Sequence, residues 1–251
     1  MPKGDYEQTP AQFRTEIEAL YAHHFRPVTA VALVSRQFDL PADASPMVLT
    51  FDDSTTLQYA ELPDGTVKPD RAVGILLAVA KQYGNDHPVS SFYGNAGPLA
   101  SKDAYLAKLT ALGMELGDHT ATHASLRQLD GAGVQRELAQ GLAVITGAVP
   151  AAKVTTMALP FGVEPHGQAL AHIGTAAGTL YNFAAVLLVG DNPARSPYDV
   201  GFDPFALPRI RSGRRTGGQT STSTCWLPQL FSAAVRPLAS DGGRCTLASP
   251  R

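Results

Sequence analysis

Between residues 47 and 190, short β-rich apolar runs alternate with longer segments in which apolar residues recur every three or four positions. The strand candidates are Met47–Phe51, Val89–Tyr93, Met114–Gly117, Val154–Leu159 and Ala185–Val189. Between them, Val73, Leu76, Leu77 and Ala80, then Leu106, Leu109 and Leu112, then Val134, Leu138, Leu142 and Ile145 mark one face of three helices. Asp70 and Ser101 stand where N-caps belong, and Gly84, Gly113 and Gly147 with Pro150 stand where those helices stop. Such alternation implies βα units on a parallel sheet, an α/β fold that is either an open doubly wound sheet or a barrel. Outside this core, Glu16–His24 and Gln168–His172 read as short helices and Pro41–Pro46 as a loop. The stretch Ser212–Thr224, rich in Gly, Ser, Thr and Arg, reads as a mobile loop.

Bulk properties exclude some functions. The formal net charge of -2 argues against a nucleic-acid binder, which needs a basic excess. No run of 18 apolar residues exists, so no membrane span is expected. Met1 to Asp5 lack the apolar core of a signal peptide, which taken alone points to the cytoplasm. The two cysteines, Cys225 and Cys245, have no C-x-x-C partner, which disfavours a zinc ribbon or redox motif; they read as unpaired thiols, with a disulfide between them as the open alternative.

The chemistry sits at two strand ends. Thr50-Phe51 is followed by the adjacent carboxylates Asp52 and Asp53. A later strand is followed by Asp118-His119-Thr120-Ala121-Thr122-His123. In parallel α/β folds the C-terminal strand ends gather functional groups on one face, so the two motifs are expected to meet. One aspartate and two histidines form an O and N ligand set for a divalent metal. The other aspartate is then a spare carboxylate, placed to act as a base. Thr120 stands where a zincin metalloprotease carries glutamate, which disfavours that class. A histidine pair four residues apart can also be satisfied in a core, and an Asp-Asp pair can be a solvated turn. In a regular strand Asp52 and Asp53 would point to opposite faces, so a shared site requires the backbone to turn after Phe51.

These segments resemble the polysaccharide deacetylase family, also called the NodB-homology domain or carbohydrate esterase family 4. Its T-F-D-D motif corresponds to Thr50–Asp53 and its H-[ST]-x-x-H motif to His119–His123. Its R-x-P-[YF]-G motif is matched in part by Ala158-Leu159-Pro160-Phe161-Gly162. The resemblance covers roughly residues 25 to 210 and implies a distorted (β/α) barrel of mostly parallel strands. Residues 1–40 are then expected to be an N-terminal extension packing on the barrel, and 41–251 the catalytic domain with a loop-rich tail. The resemblance further implies a metal-dependent hydrolase that removes N- or O-acetyl groups from a chitin-like, peptidoglycan or exopolysaccharide glycan, outside the cytoplasm. Asp53, His119 and His123 would hold one divalent ion, zinc by the resemblance. Asp52 would be the general base, and Pro160, Phe161 and Arg209 would contact substrate.

Two departures from the family pattern stand out. Ala158 replaces the arginine that orients the catalytic aspartate, leaving Arg209 or Arg211 as candidates to stand in. The strand Val186–Val189 runs into Gly190 without the family's general-acid histidine, and His172 is the last histidine of the chain. His166 is the nearest spare candidate. Because an amine leaves less readily than an alcohol, this favours considering ester substrates as well as amides. A noncatalytic glycan- or metal-binding protein on the same scaffold, and an amidohydrolase acting on a small amide, are the alternatives.

Overall fold

In a computed structural model of the chain, which describes residues 8–95, 103–189, 192–213 and 222–232, Thr9 opens the first helix. Its hydroxyl accepts from the Gln12 amide at 3.2 Å while the Gln12 side chain accepts from the Thr9 N–H at 3.0 Å. This reciprocal cap starts α1 (Pro10–Ala22) six residues before the expected Glu16. Then follow β1 (Phe25–Pro27), the short α2 (Ala30–Ser35), β2 (Ser45–Met47) and β3 (Thr50–Asp52). The expected single strand Met47–Phe51 is thus two. β2 pairs with β1, and after Val48 and Leu49 the chain changes partner.

α3 (Ala72–Gln82) begins without a side-chain cap, and its N-cap is Arg71 rather than Asp70. The reason is tertiary: its first N–H groups, on Ala72 and Val73, donate to the carbonyls of Leu57 and Gln58 at 3.2 and 3.0 Å. Next come β4 (Ser91–Gly94), α4 (Asp103–Ala111) and β5 (Glu115–Asp118). The expected cap Ser101 lies outside the described residues. α5 (Gly131–Ala148) is capped by Asp130, which accepts from the Gly133 N–H at 2.6 Å. β6 (Thr156–Ala158) follows, then a hairpin of β7 (Ile173–Ala176) and β8 (Thr179–Asn182), then β9 (Ala185–Leu187). The hairpin turn places Ala177 and Gly178 both at positive φ, 49° and 80°, the pattern of a two-residue type I′ turn. The expected short helix Gln168–His172 is a 3₁₀ turn over Gln168–Ala171.

The main sheet has the order β3-β4-β5-β6-β9, and every pairing is parallel. It curls into a half barrel, as the alternation of strands and helices implies. Strand side chains alternate between faces. Phe92, Leu116, Met157 and Val186 face outward into the main core with Val73, Leu106, Leu109, Val134 and Leu138 from the helices. Each such Val or Leu side chain contributes about 1.5–3 kcal/mol by leaving water. α1 covers α3 through Ile17, Leu20, Tyr21, Ile75, Leu76 and Val79. On the inner face, Glu115 is buried but satisfied, accepting from Ser91 and Thr156 hydroxyls at 2.6 Å each and from the Val31 N–H of α2 at 3.3 Å. This network floors the barrel at the end away from the strand C-termini.

The strands β3 and β9 are the sheet edges. Beside β9 runs the segment Pro204–Leu207: Val186 donates to Pro204 at 2.9 Å, Leu207 to Val186 at 3.0 Å, and Leu188 to Leu207 at 2.8 Å. The chain then reaches Arg211, bridged to Thr222, and α6 (Ser223–Ser232). The expected loop Ser212–Thr224 therefore ends in helix at Ser223, and its residues 214–221 lie outside the described residues. Cys225 lies in α6, and Cys245 lies outside the described residues.

Candidate metal centre

The site is built where β3, β4, β5 and β6 end. Asp52 is the last residue of β3 and points to the inner face with Thr50. The backbone then turns left-handed at Asp53 (φ 70°) and Ser54 (φ 51°). Two consecutive non-glycine residues in this region are uncommon. The turn redirects Asp53 so that both carboxylates serve one site, the condition the sequence imposed. It falls after Asp52, one residue later than expected. The Asp53 N–H donates to the Tyr93 carbonyl at 3.0 Å, and the Gln58 side chain donates to the Asp52 carbonyl, fixing the turn.

His119 follows β5 and is buried. Its Nδ1 lies 2.7 Å from the Ala158 carbonyl. A carbonyl only accepts, so Nδ1 carries the hydrogen and the Nε2 lone pair is left for a ligand. Burial pushes the His119 pKa down against the pull of Asp52 and Asp53, favouring the neutral ring. Residues 119–123 are not a helical turn, contrary to the simplest reading of the four-residue spacing. They form a loop with Thr120 and His123 at φ 64° and 58°. Glu137 of α5 holds it, accepting from the Thr122 N–H at 2.9 Å and its hydroxyl at 3.0 Å, while its carbonyl accepts from Ala121 at 3.1 Å. Asp118, fully buried, accepts from the Thr120 N–H at 2.8 Å, and burial raises its pKa well above the usual aspartate value.

Asp53 Oδ1 lies 3.7 Å from His119 Nε2 and 3.6 Å from His123 Nε2. The three ligand atoms fall within 4.8 Å of one another. Neighbouring ligands of a tetrahedral divalent ion with bonds of about 2.1 Å are about 3.4 Å apart, so the set fits such an ion with a small contraction. Two imidazole nitrogens and one carboxylate oxygen suit zinc and its neighbours, and three ligands leave positions open for water or substrate.

Asp52 has a different partner. Arg209 grips it with both ends of the guanidinium: Nη1 to Oδ1 at 2.9 Å and Nη2 to Oδ2 at 2.8 Å. The same guanidinium donates from Nη1 to Thr50 Oγ1 at 3.1 Å and from Nε to the Leu188 carbonyl at 2.6 Å. It therefore spans the two edges of the half barrel. Burial works to raise the Asp52 pKa, but the Arg209 guanidinium outweighs it and holds the carboxyl below the usual aspartate value. Asp52 Oδ2 is 4.0 Å from His119 Nε2, so the held carboxylate borders the ligand set. Of the two candidate arginines, Arg209 is the one on Asp52; Arg211 accepts through its backbone carbonyl from Ser223 at 2.7 Å.

Pro160 is buried, and Phe161 stands exposed beside His123, ring centroids 4.8 Å apart at 72°. Gly162 is required behind it: a Cβ there would lie 2.5 Å from the Val189 nitrogen, and its φ is 66°. His166 is exposed on the neighbouring loop, with Nδ1 3.4 Å from the Arg127 guanidinium. Asn95, Gln58 and Glu137 were not singled out in the sequence. No motif marks them: their partners stand 42, 6 and 15 residues away along the chain.

No family model and no curated protein matches the sequence. Among solved structures, the chain is similar to the Streptococcus pyogenes deacetylase PplD in complex with acetate, with a TM-score of 0.59 at 16% identity over 92% of this chain and 90% of that one. The fold is the polysaccharide-deacetylase fold. Smaller matches include a family 4 carbohydrate esterase from Streptomyces lividans, with a TM-score of 0.35, 20% identity, and coverage of 46% of this chain and 51% of that one. Another is the peptidoglycan deacetylase PdaC from Bacillus subtilis, with a TM-score of 0.36, 19% identity, and coverage of 47% and 50%. Within the polysaccharide-deacetylase fold, this chain gathers Asp53, His119, His123 and the Asp52–Arg209 pair at the strand C-terminal ends.

Proposed function

We propose that this chain is a metal-dependent member of the polysaccharide deacetylase family that removes acetyl groups from a glycan. The observation that carries the reading is the Asp52 carboxylate, gripped by Arg209 in a bidentate pair and bordering an open set of two histidines and one aspartate. A pure binding module has no use for a spare carboxylate fixed there. Asp53 Oδ1, His119 Nε2 and His123 Nε2 would hold the ion, with zinc the best match to the donors. When bound, that ion supplies Lewis acidity toward the acetyl carbonyl and toward a water. Asp52 accepts the proton from the attacking water at a carboxylate oxygen. Arg209 keeps that carboxylate ionised and aimed. Phe161 and Pro160 form the apolar side of the acetyl pocket, and the water's oxygen ends in acetate. The departing group is the sugar's amine or hydroxyl, and the proton that Asp52 takes from the water is the one passed to it as its bond to the acetyl carbon breaks. With no histidine after His172, an alcohol, the better leaving group, keeps O-acetyl esters among the substrates beside N-acetyl amides.

The competing reading, a noncatalytic protein on this scaffold, draws on Ala158 in the third motif. Arg209 answers it by supplying the guanidinium from another part of the chain. A secreted or cell-envelope location suits this reading, because a glycan polymer would be met there. Among the described residues no helix is long and apolar enough to cross a membrane.

The test is acetate release from acetylated oligosaccharides by zinc-loaded protein, with metal content measured in parallel. Asp52→Asn is expected to keep one ion per chain and to lose turnover by about 100-fold or more. Bound metal without acetate release from N- or O-acetylated glycans would leave the noncatalytic reading standing.

A further inference from the structure

We propose that Asn95 is a positioning residue of the metal centre: its side-chain amide fixes Asp53 in the orientation of a ligand. The inference rests on the metal-dependent reading above. It comes from the tip of β4, where three consecutive residues each hold part of the ligand set. The Tyr93 carbonyl accepts from the Asp53 N–H at 3.0 Å, and the Gly94 carbonyl accepts from the His119 N–H at 3.0 Å. Asn95 Nδ2 then donates to Asp53 Oδ1 at 3.1 Å. An ionised carboxylate only accepts hydrogen bonds, so the amide must present its nitrogen, not its oxygen.

The oxygen that Asn95 holds is the one that faces both imidazoles, at 3.7 and 3.6 Å. A carboxylate oxygen has two lone-pair directions. With the amide on one, the other is left toward the histidines. The contrast in burial matters: the Asp53 side chain is 50% exposed, on a left-handed turn, whereas Asn95 is 6% exposed and continuous with a central strand. Free of the amide, the Asp53 carboxylate can rotate toward water. Held by it, the ligand is oriented before the ion arrives, so less rotational freedom is lost on binding.

The test measures zinc affinity of metal-free protein by competition with a chromophoric chelator, for wild type, Asn95→Ala and Asn95→Leu, the last keeping the volume without the donor. Both variants are expected to bind zinc about 10–100-fold more weakly. The visible spectrum of the cobalt-substituted variants should shift, because the carboxylate ligand is less constrained. A purely structural role would lower the unfolding temperature of the metal-free variants and leave affinity and spectrum alone, which overturns the proposal. A wild-type measurement stands apart from any folding defect. The Asn95 side-chain amide protons should exchange slowly with solvent and shift when zinc is added, and fast exchange with no response overturns the proposal too. Wild type that binds zinc beside variants of unchanged affinity defeats this inference alone. Wild type that binds no divalent ion defeats the metal-dependent reading, and the inference with it.

Discussion

At the scale of single residues, the Asp52–Arg209 pair sets how the site responds to pH. Arg209 lowers the folded pKa of Asp52, so the pair's contribution to stability is present above the unfolded aspartate value and lost as pH falls through the folded one. Activity that needs ionised Asp52 has its acid limb in the same low range. Arg209→Ala removes the lowering influence and leaves burial, which raises the pKa. The acid limb of kcat/KM is therefore expected to move to higher pH, with kcat reduced by about 100-fold as the base loses its aim. A pH–rate profile of wild type and variant checks both, and an unmoved limb would remove Arg209 from the base. Stability should fall by about 1–3 kcal/mol, measured by urea unfolding at neutral pH. The sequence hinted at this residue only by exclusion. Ala158 occupies the arginine position of the third motif, and two later arginines remained as substitutes. Arg209 was expected on substrate and, with Arg211, as a candidate partner of Asp52; its guanidinium is on Asp52. Nothing local to Leu207–Arg211 reveals that, because the contact joins residues 157 positions apart.

Single elements decide whether the histidines converge. The loop after β5 is not helical, so the four-residue spacing does not by itself bring His119 and His123 together. The work is done by α5, which lends Glu137 to the loop and presents a gap at Gly141. A Cβ on Gly141 would lie 2.3 Å from Asp118 Oδ1 and 3.0 Å from the Thr120 carbonyl carbon. Gly141→Ala is therefore expected to destabilise the fold by about 1–3 kcal/mol. Because the displaced atoms adjoin His119, zinc affinity should fall as well. Thermal unfolding together with a zinc titration checks this, and a variant with wild-type affinity would show that α5 supports the fold without shaping the centre. Other elements were less legible. The type I′ turn at Ala177-Gly178 sits between strands of only four residues each, too short for alternation to stand out. The N-cap of α3 is Arg71 and not the expected Asp70, because loop carbonyls, not a side chain, satisfy its first N–H groups.

The whole molecule is an open barrel whose two edge strands are joined by Arg209 and flanked at β9 by Pro204–Leu207. The three proposed ligands come from two strand ends, Asp53 after β3 and both histidines after β5, so an ion that binds only the folded chain ties β3 to β5. Zinc at about 100 times its dissociation constant is expected to stabilise the fold by about 2.7 kcal/mol. Thermal unfolding with added zinc and with chelator checks the effect, which should vanish in His119→Ala and His123→Ala. A zinc-dependent shift that survives in both variants would place the ion elsewhere.

By itself the sequence determined the βα alternation, the parallel sheet and the identities of Asp52, Asp53, His119 and His123. Those features rest on local periodicity and on chemistry at strand ends, which short segments record. Only the tertiary structure decided which arginine meets Asp52, which groups hold the histidine loop, and that Asn95 faces Asp53. These are meetings between segments far apart along the chain. Burial and hydrogen-bond geometry select them after the sheet has curled, and no segment carries their mark alone.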